Sequence, residues 1–305
     1  MKNVFKTVGS FTVLTISVLM LIGIGLVAIL LTLPNVAVLE KCFTTSMYAV
    51  KLCPDSPNYV KLKSISPYMI HALIAAEDAA FYSHKGFDWH EMQASFETNL
   101  KSGRIARGGS TLTQQLAKNA FLTKDKSYLR KIKEAYLANA IENKYKKDFI
   151  LEKYLNVVEF GPNLFGIKAA SLYYFQKSPS ELHPLEAAYL AFLLPNPKMY
   201  SQSHRIGTLT PFARKQVSII LRRMSSFKKL SPSGYQTAKA NLAGFPWRDL
   251  GISSFEGTPT WDLEAPTRTE QDMQLDEEAL EEILEESQVN SDPANDPIDP
   301  ADLEE

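Results

Sequence analysis

The sequence predicts an all-α, mainly helical domain behind a single N-terminal membrane-spanning helix, followed by a disordered acidic tail. Three observations predict it. Residues 11–33, FTVLTISVLMLIGIGLVAILLTL, hold 23 positions without a charge. From Ser66 onward apolar residues recur at helical spacing, and strand-like alternation is rare. After residue 250 the composition turns acidic and is broken by Pro259, Pro266, Pro293, Pro297 and Pro300.

The apolar run comes first. A helix of that length rises about 34 Å, enough to cross a bilayer's hydrocarbon core. A cleaved signal has a shorter apolar region and a small-x-small site, and Pro34-Asn35-Val36-Ala37 is a poor one. Leu39-Glu40-Lys41-Cys42 is equally poor as a lipoprotein signal. Residues 11–33 therefore read as an uncleaved anchor. Lys2 and Lys6 precede it with no acid, which leaves residues 1–10 in the cytoplasm and the body outside.

Residues 34–64 read as a stalk, broken by Pro34, Pro54 and Pro57. Cys42 and Cys53 fall within it. Outside the cytoplasm they can pair, and two free thiols are the alternative that spacing alone leaves open. Residues 65–250 are the folded domain. Ser66 as cap and Pro67 at the first helical position start a helix to about residue 79. Further helices are expected over 88–101, 111–119, 127–145, 147–157, 164–175, 184–194 and 209–227.

The chain's net charge of −1 conceals an asymmetry: residues 1–250 carry +16, and residues 251–305, the tail, carry −17. A basic body suits an anionic partner such as phosphate, nucleic acid or anionic lipid. Within the tail, Leu275, Ala279, Leu280, Ile283 and Leu284 recur at helical spacing, which reads either as a docking helix or as a transient helix without a partner.

Three stretches carry candidate chemistry, and a fourth reads as structural. ALIAAEDAAFYSHKG, residues 72–86, sets Glu77 and Asp78 at the end of an apolar helical run. RIARGGSTLTQQLAKN, residues 104–119, joins the flexible pair Gly108-Gly109 to a cap at Ser110 or Thr111, with Arg104, Arg107 and Lys118 adding charge. Thr113, Gln114 and Gln115 offer groups suited to sugars or phosphate oxygens, and no phosphate-binding P-loop motif occurs. In YLRKIKEAYLANAIENKY, Arg130 and Glu134 are four apart, either a surface ion pair or the lining of a cleft. Glu152, Asn156, Glu159 and Glu186 read as polar groups that satisfy backbone or neighbours. Phe121, Leu122, Tyr128 and Leu129, mixed with Lys124 and Lys126, form either a membrane-facing lip or ordinary core.

Together, these stretches resemble the glycosyltransferase family 51 peptidoglycan polymerases over residues 65 to about 225. The matching motifs are Glu77-Asp78-x-x-Phe81-x-x-His84-x-Gly86, Gly108-Gly109-Ser110-Thr111-x-Thr113-Gln114-Gln115-x-x-Lys118-Asn119 and Arg130-Lys131-x-x-Glu134. Ile150-Leu151-Glu152-x-Tyr154-Leu155-Asn156, with Gly161 and Gly166, and Glu186-Ala187-Ala188-x-Leu190-Ala191 complete the order. The wording looks like the monofunctional biosynthetic transglycosylases, which have an anchor and one catalytic domain. The family often carries Arg or another polar residue after the acid pair, where this chain has Ala79 and Ala80, and an Arg-Ala pair in the following helix, where it has Ala94 and Ser95.

The resemblance implies a lysozyme-like transglycosylase fold and a substrate, lipid II. A sugar 4-hydroxyl of lipid II attacks the anomeric carbon of the growing glycan strand, undecaprenyl pyrophosphate leaves, and a β-1,4 bond forms with inversion. It implies Glu77 as the base, its pKa raised by burial. Lys118 and Arg130 take the pyrophosphate. Glu134 orients these cations or holds an optional divalent cation, magnesium or manganese; no obligatory cofactor is implied. Ser110, Gln115 and Asn119, with Thr111 and Gln114, contact sugar or phosphate. Asp78, Phe81, His84, Gly86 and Gly109 support the loops. The implied location is the bacterial inner (cytoplasmic) membrane, single-pass, with a periplasmic catalytic domain. Expected partners are the membrane and, through the acidic tail, cross-linking transpeptidases or division and elongation proteins; nucleic acid is not among them.

Two other readings use the same residues: a lysozyme-like lytic transglycosylase or hydrolase, which needs a second carboxylate across the cleft, and a catalytically inactive scaffold that binds lipid II. A fused transpeptidase is not expected. Ser225-x-x-Lys228 and Lys101-Ser102-Gly103 occur in the wrong order, with only 77 residues after Lys228.

Overall fold

Helix starts fall where capping chemistry puts them. In the computed structural model, which describes residues 2–103, 108–125 and 127–255, Pro67 opens α2 (Pro67–Glu77) directly after Ser66. Three later long helices open the same way, each with its proline at the first turn, where a missing N–H costs nothing. They are α8 (Pro184–Leu193), α11 (Pro211–Ser226, capped by Thr210) and α12 (Pro232–Asn241, capped by Ser231). The remaining long helices are α1 (Lys2–Leu31), α3 (Trp89–Ser102), α4 (Leu112–Phe121), α5 (Tyr128–Lys144), α6 (Lys147–Val157) and α7 (Ile167–Phe175). Two short helices, α9 (Pro197–Tyr200) and α10 (Gln202–Ile206), follow α8. The chain is mainly helical, as the periodicity predicts.

Among the described residues, strand is confined to two small antiparallel ladders, β1 (Phe43–Thr44) with β2 (Lys51–Leu52), and β3 (Glu159–Gly161) with β4 (Leu164–Phe165). The second replaces the first turn of the helix expected over 164–175. Gly166, at φ +81°, ends it and starts α7, and a Cβ there would meet the Asn156 carbonyl oxygen at 2.9 Å.

The chain divides into two compact units. Unit 1 comprises Met1–Ile65 and Ser83–Pro179; unit 2 comprises Ser66–Tyr82 and Ser180–Glu305.

In unit 1, α4 packs between α5 and α6. The segment read as a stalk carries structure of its own. Cys42 and Cys53 form a disulfide, one register step beyond the Phe43–Leu52 pair of the first ladder. Tyr145 donates to the Val36 carbonyl at 3.2 Å and to Glu40 at 2.9 Å, and Lys144 pairs with Glu40 at 3.0 Å. Residues 57–62 are fastened along α6 and α7. Tyr59 donates to Glu152, Leu62 N–H to the same carboxylate at 2.9 Å, and Lys168 to the Pro57 carbonyl. Burial and the neighbouring Glu152 push the Tyr59 phenol up, so it stays a donor. Lys153, on the adjacent α6 position, is 2% exposed, with its ammonium 4.7 Å from the Tyr59 ring centre and 4.8 Å from that of Phe149. Burial pulls its pKa down to about 8.

In unit 2, all ten residues of α8 are buried, as an apolar-all-round sequence requires, against α2 and α11. His183 and Glu186 close a capping box at its start. Tyr189 of α8 meets Phe245 and Trp247, and Phe255 stacks on His183 at 5.1 Å. Phe255 is buried, so the predicted tail, which begins at 251, is still packed on unit 2 at residue 255. Residues 256–305, including the amphipathic run from Leu275, lie outside the described residues, as do Arg104, Arg107 and Lys126.

The predicted span at 11–33 lies within α1 and the turn that follows it. Among the described residues no helix is long and apolar enough to cross a membrane. The side chains at 11–13, 22, 26 and 30 are outside that set. Of the predicted lip, Phe121 and Leu122 are buried, because α4 turns them into unit 1, while Tyr128 is 94% exposed and Leu129 is also exposed.

Candidate functional site

The glycine-rich loop and α4 build one wall of the candidate site in unit 1. Of Ser110 and Thr111, it is Thr111 that caps α4. Its hydroxyl accepts from Gln114 N–H at 3.3 Å, and the Gln114 side chain accepts from Thr111 N–H at 3.0 Å. The same hydroxyl donates to the Gly86 carbonyl at 2.7 Å, and Gly86 N–H donates to His84 Nδ1 at 3.1 Å. The His84-x-Gly86 turn is thereby tied to the start of α4. Thr111 and Gln114 are buried, and the Thr111 hydroxyl and the Gln114 side-chain oxygen are engaged in this cap. Gly86, at φ +88°, takes a left-handed backbone beside the Glu142 side chain. Gly109 is required by proximity: a Cβ would meet the Met92 Cα and the Ser95 Oγ, each at 3.2 Å. The small Ser95, a departure from the family pattern, stands where that loop crosses α3.

Helix α5 supplies the facing charges. Ser127 caps it by accepting from Arg130 N–H at 3.1 Å. Glu134 is only 3% exposed, and its two oxygens face two cations of its own helix. Arg130 Nη1 lies 3.7 Å from Oε2 and Lys131 Nζ lies 2.5 Å from Oε1. Lys131 also donates to Ser110 Oγ at 2.9 Å, which closes the link from α5 to the loop. This is a buried carboxylate holding two cations, not a surface ion pair. Arg130 Nε is buried and has no hydrogen-bond partner among the described residues. An N–H donor in that state carries a desolvation cost until an acceptor arrives.

This arrangement does not fit a divalent ion at Glu134. Its carboxylate is already neutralised by Arg130 and Lys131, and among the described residues no group of three or more His, Cys, Asp or Glu is placed to hold a metal.

Other predicted residues are placed as follows. Gln115 accepts from the Tyr154 hydroxyl at 2.9 Å, Lys118 is half-buried two turns into α4, and Asn119 is buried. Glu77 is the last residue of α2 and half-buried; Asp78, the helix's C-cap, is buried, and its carbonyl accepts from Phe81 N–H at 3.0 Å. Glu77, Asp78 and the buried Phe81 belong to unit 2, and the Ser110–Lys131–Glu134–Arg130 cluster to unit 1.

Two residues were not singled out by sequence reasoning. Lys131 was legible as part of Arg130-Lys131-x-x-Glu134, at i,i+3 from Glu134. Glu142 takes hydrogen bonds from Thr113 at 2.5 Å and Lys147 at 2.7 Å. It recurs at i+8 from Glu134, on the buried stripe that also carries Ala138, and an acid on a buried stripe was the signal.

Comparison with known proteins follows the same motifs. A family model described as "Transglycosylase" matches residues 47–225. A "Biosynthetic peptidoglycan transglycosylase" of Dechloromonas aromatica is 45% identical over 166 residues, 54% of this chain and 70% of the relative. The protein of the same description from Chromobacterium violaceum is 47% identical over 167 residues, 55% of this chain and 72% of the relative. That of Aromatoleum aromaticum is 49% identical over 144 residues, covering 47% and 63%. With its motifs in order on α2, α4, α5, α6 and α8, and more than half of its length matched, the chain belongs to the transglycosylase family.

Proposed function

We propose that the protein is a peptidoglycan glycosyltransferase that polymerises lipid II into glycan strands for cell wall synthesis. The observation that carries this reading is the Ser110–Lys131–Glu134–Arg130 cluster inside the family match. Two cations are held at a buried carboxylate, and one guanidinium N–H has no acceptor among the described residues. A pyrophosphate leaving group supplies such acceptors and needs cations as its bond to the sugar breaks. In this reading Arg130 and Lys118 hold the pyrophosphate, and Lys131 and Ser110 complete the cradle. Glu134 positions both α5 cations without a metal. Glu77 takes the proton of the attacking 4-hydroxyl as the new β-1,4 bond forms with inversion. Gln115 and Asn119 line the sugar and phosphate path; Thr111, Gln114, His84, Gly86 and Gly109 hold the loop in shape, and Asp78 and Phe81 brace the end of α2.

The same reading makes α1 an anchor that keeps the domain beside a lipid substrate. Its support is the uncharged run 11–33, which is unbroken helix as far as Leu31 and from which Leu19, Leu21 and Leu31 stand out exposed. The proposed location is the bacterial inner membrane with the body in the periplasm. The disulfide Cys42–Cys53 suits that oxidising compartment.

The discriminating experiment offers the protein lipid II in one reaction and finished, uncross-linked glycan in another. Polymer formed from lipid II, with undecaprenyl pyrophosphate released and finished glycan left intact, is the expected result. Shortening of finished glycan without polymerisation would assign a lytic activity instead.

A further inference from the structure

The 62 residues 187–248 of unit 2 contain no Asp or Glu and ten Lys or Arg. This is the most one-sided charge distribution in the body, and it lies just before a tail of −17. Its surface includes a groove of about 520 Å³ lined by Leu209, Pro211, Arg214, Lys215, Ser218 and Leu242. Four of these sit at i, i+3, i+4 and i+7 along one face of α11, and the exposed Arg222 continues the stripe by a further turn. The groove is thus lined by the apolar Leu209, Pro211 and Leu242 together with Arg214, which is exposed, and Lys215, whose ammonium is buried.

We propose that this groove seats residues 275–284 of the same chain's acidic tail as an amphipathic helix. The segment LDEEALEEIL matches it in both respects. At helical spacing Leu275, Ala279, Leu280, Ile283 and Leu284 form one apolar face, and Asp276, Glu277, Glu278, Glu281 and Glu282 surround it. As a helix it is about 15 Å long, against about 24 Å for α11. The tether also fits. The described chain ends at Phe255, which is buried in unit 2 itself, and 19 residues separate it from Leu275. Such a linker reaches about 65 Å when extended, with a flexible-coil span of roughly 25 Å. A linker of that kind gives an effective concentration on the order of millimolar, so even a dissociation constant near 100 μM leaves the groove about nine-tenths occupied. A charged contact of this kind is weakened by salt, because the screening length falls from about 8 Å at 0.15 M to about 3 Å at 1 M.

The test uses the full chain with Ser218→Cys and Ser287→Cys; the native cysteines are already bonded to each other. Under mild oxidation at low protein concentration, the proposal expects an intramolecular disulfide that forms at least tenfold more slowly in 1 M salt. It expects the same slowing with Arg214→Glu and Lys215→Glu together, or with Leu280→Asp and Ile283→Asp together. In the parent chain, amide hydrogen exchange over 275–284 should be slower than in the Leu280→Asp, Ile283→Asp variant. Cross-linking indifferent to all these changes, with exchange over 275–284 equal in both chains, overturns the proposal. So does a product of doubled mass that grows with concentration, which would give the groove to a second copy's tail. A charge-reversed groove that binds anionic vesicles less but cross-links at the parent rate would assign the groove to lipid and overturn it too.

Discussion

Asn156 clasps Val60 in both directions: its Oδ1 accepts from Val60 N–H at 2.8 Å and its Nδ2 donates to Val60 C=O at 2.9 Å. One side chain of α6 thus does for residue 60 what a neighbouring strand would do, across a sequence separation of 96. The adjacent Glu152 holds Tyr59 and Leu62 in the same way. The family motif Ile150-Leu151-Glu152-x-Tyr154-Leu155-Asn156 is therefore, in this chain, a fastening for residues 59–62, which precede α2 in the sequence.

Replacing Asn156 by Ala leaves a buried N–H and a buried C=O without partners, at a cost of roughly 2–4 kcal/mol. Chemical denaturation of Asn156→Ala should show that loss. Asn156→Asp keeps the acceptor but sets a carboxylate against the Val60 carbonyl, and should recover no more than a small part of it.

Lys153 gives a pH signature. The unfolded lysine titrates near 10.5 and the folded one at about 8. Between those values the unfolded chain binds more protons, so stability rises with pH from about 8 to above 10 through this group, and its penalty is fully present below 8. Lys153→Met removes the penalty. Thermal unfolding should show the variant more stable than the parent at pH 7, with the gap closing by pH 10.

Lys131 is predicted to matter to turnover as well as to architecture. Lys131→Ala breaks the hydrogen bonds to Ser110 and Glu134 and should lower kcat/KM on lipid II by roughly tenfold, equivalent to about 1.4 kcal/mol. Arg130→Lys removes the buried Nε donor while keeping the charge, and should also fall below the parent. Steady-state polymerisation, with circular dichroism to verify the fold, measures both.

At the loop, Thr111→Val loses the cap and the bond to Gly86 together, a cost of about 1–3 kcal/mol, while Thr111→Ser retains both. Unfolding midpoints for the pair separate the hydroxyl's contribution from that of the methyl group.

Much of this architecture was legible in the sequence because its signals are local. Pro67, Pro184 and Pro211 stand at the first turns of α2, α8 and α11, and Ser127 caps α5, each readable within four residues. Pro232 and Ser231 give the same signal for α12, which the apolar periodicity did not bring out because only Gly234 and Ala238 of that helix are buried. The ladders at 43–52 and 159–165 are two or three residues per strand, too short for alternation to register. The clasp on Val60, the Thr113–Glu142–Lys147 node and the Lys131–Ser110 link join distant segments, and no local pattern encodes a partner 21 to 96 residues away. The motif order located Ser110, Arg130 and Glu134, but which of Ser110 and Thr111 caps α4, and that Glu134 serves cations rather than a metal, required their neighbours in space.

The central claim is that Glu77 removes the proton from the attacking hydroxyl while the α4 and α5 cations hold the departing pyrophosphate. Purified Glu77→Gln, compared with the parent on lipid II at equal concentration, tests it most directly. The account predicts that polymerisation falls by at least 100-fold, the scale of general base catalysis, with the unfolding midpoint unchanged within error. A folded Glu77→Gln protein that polymerises at the parent rate would contradict it.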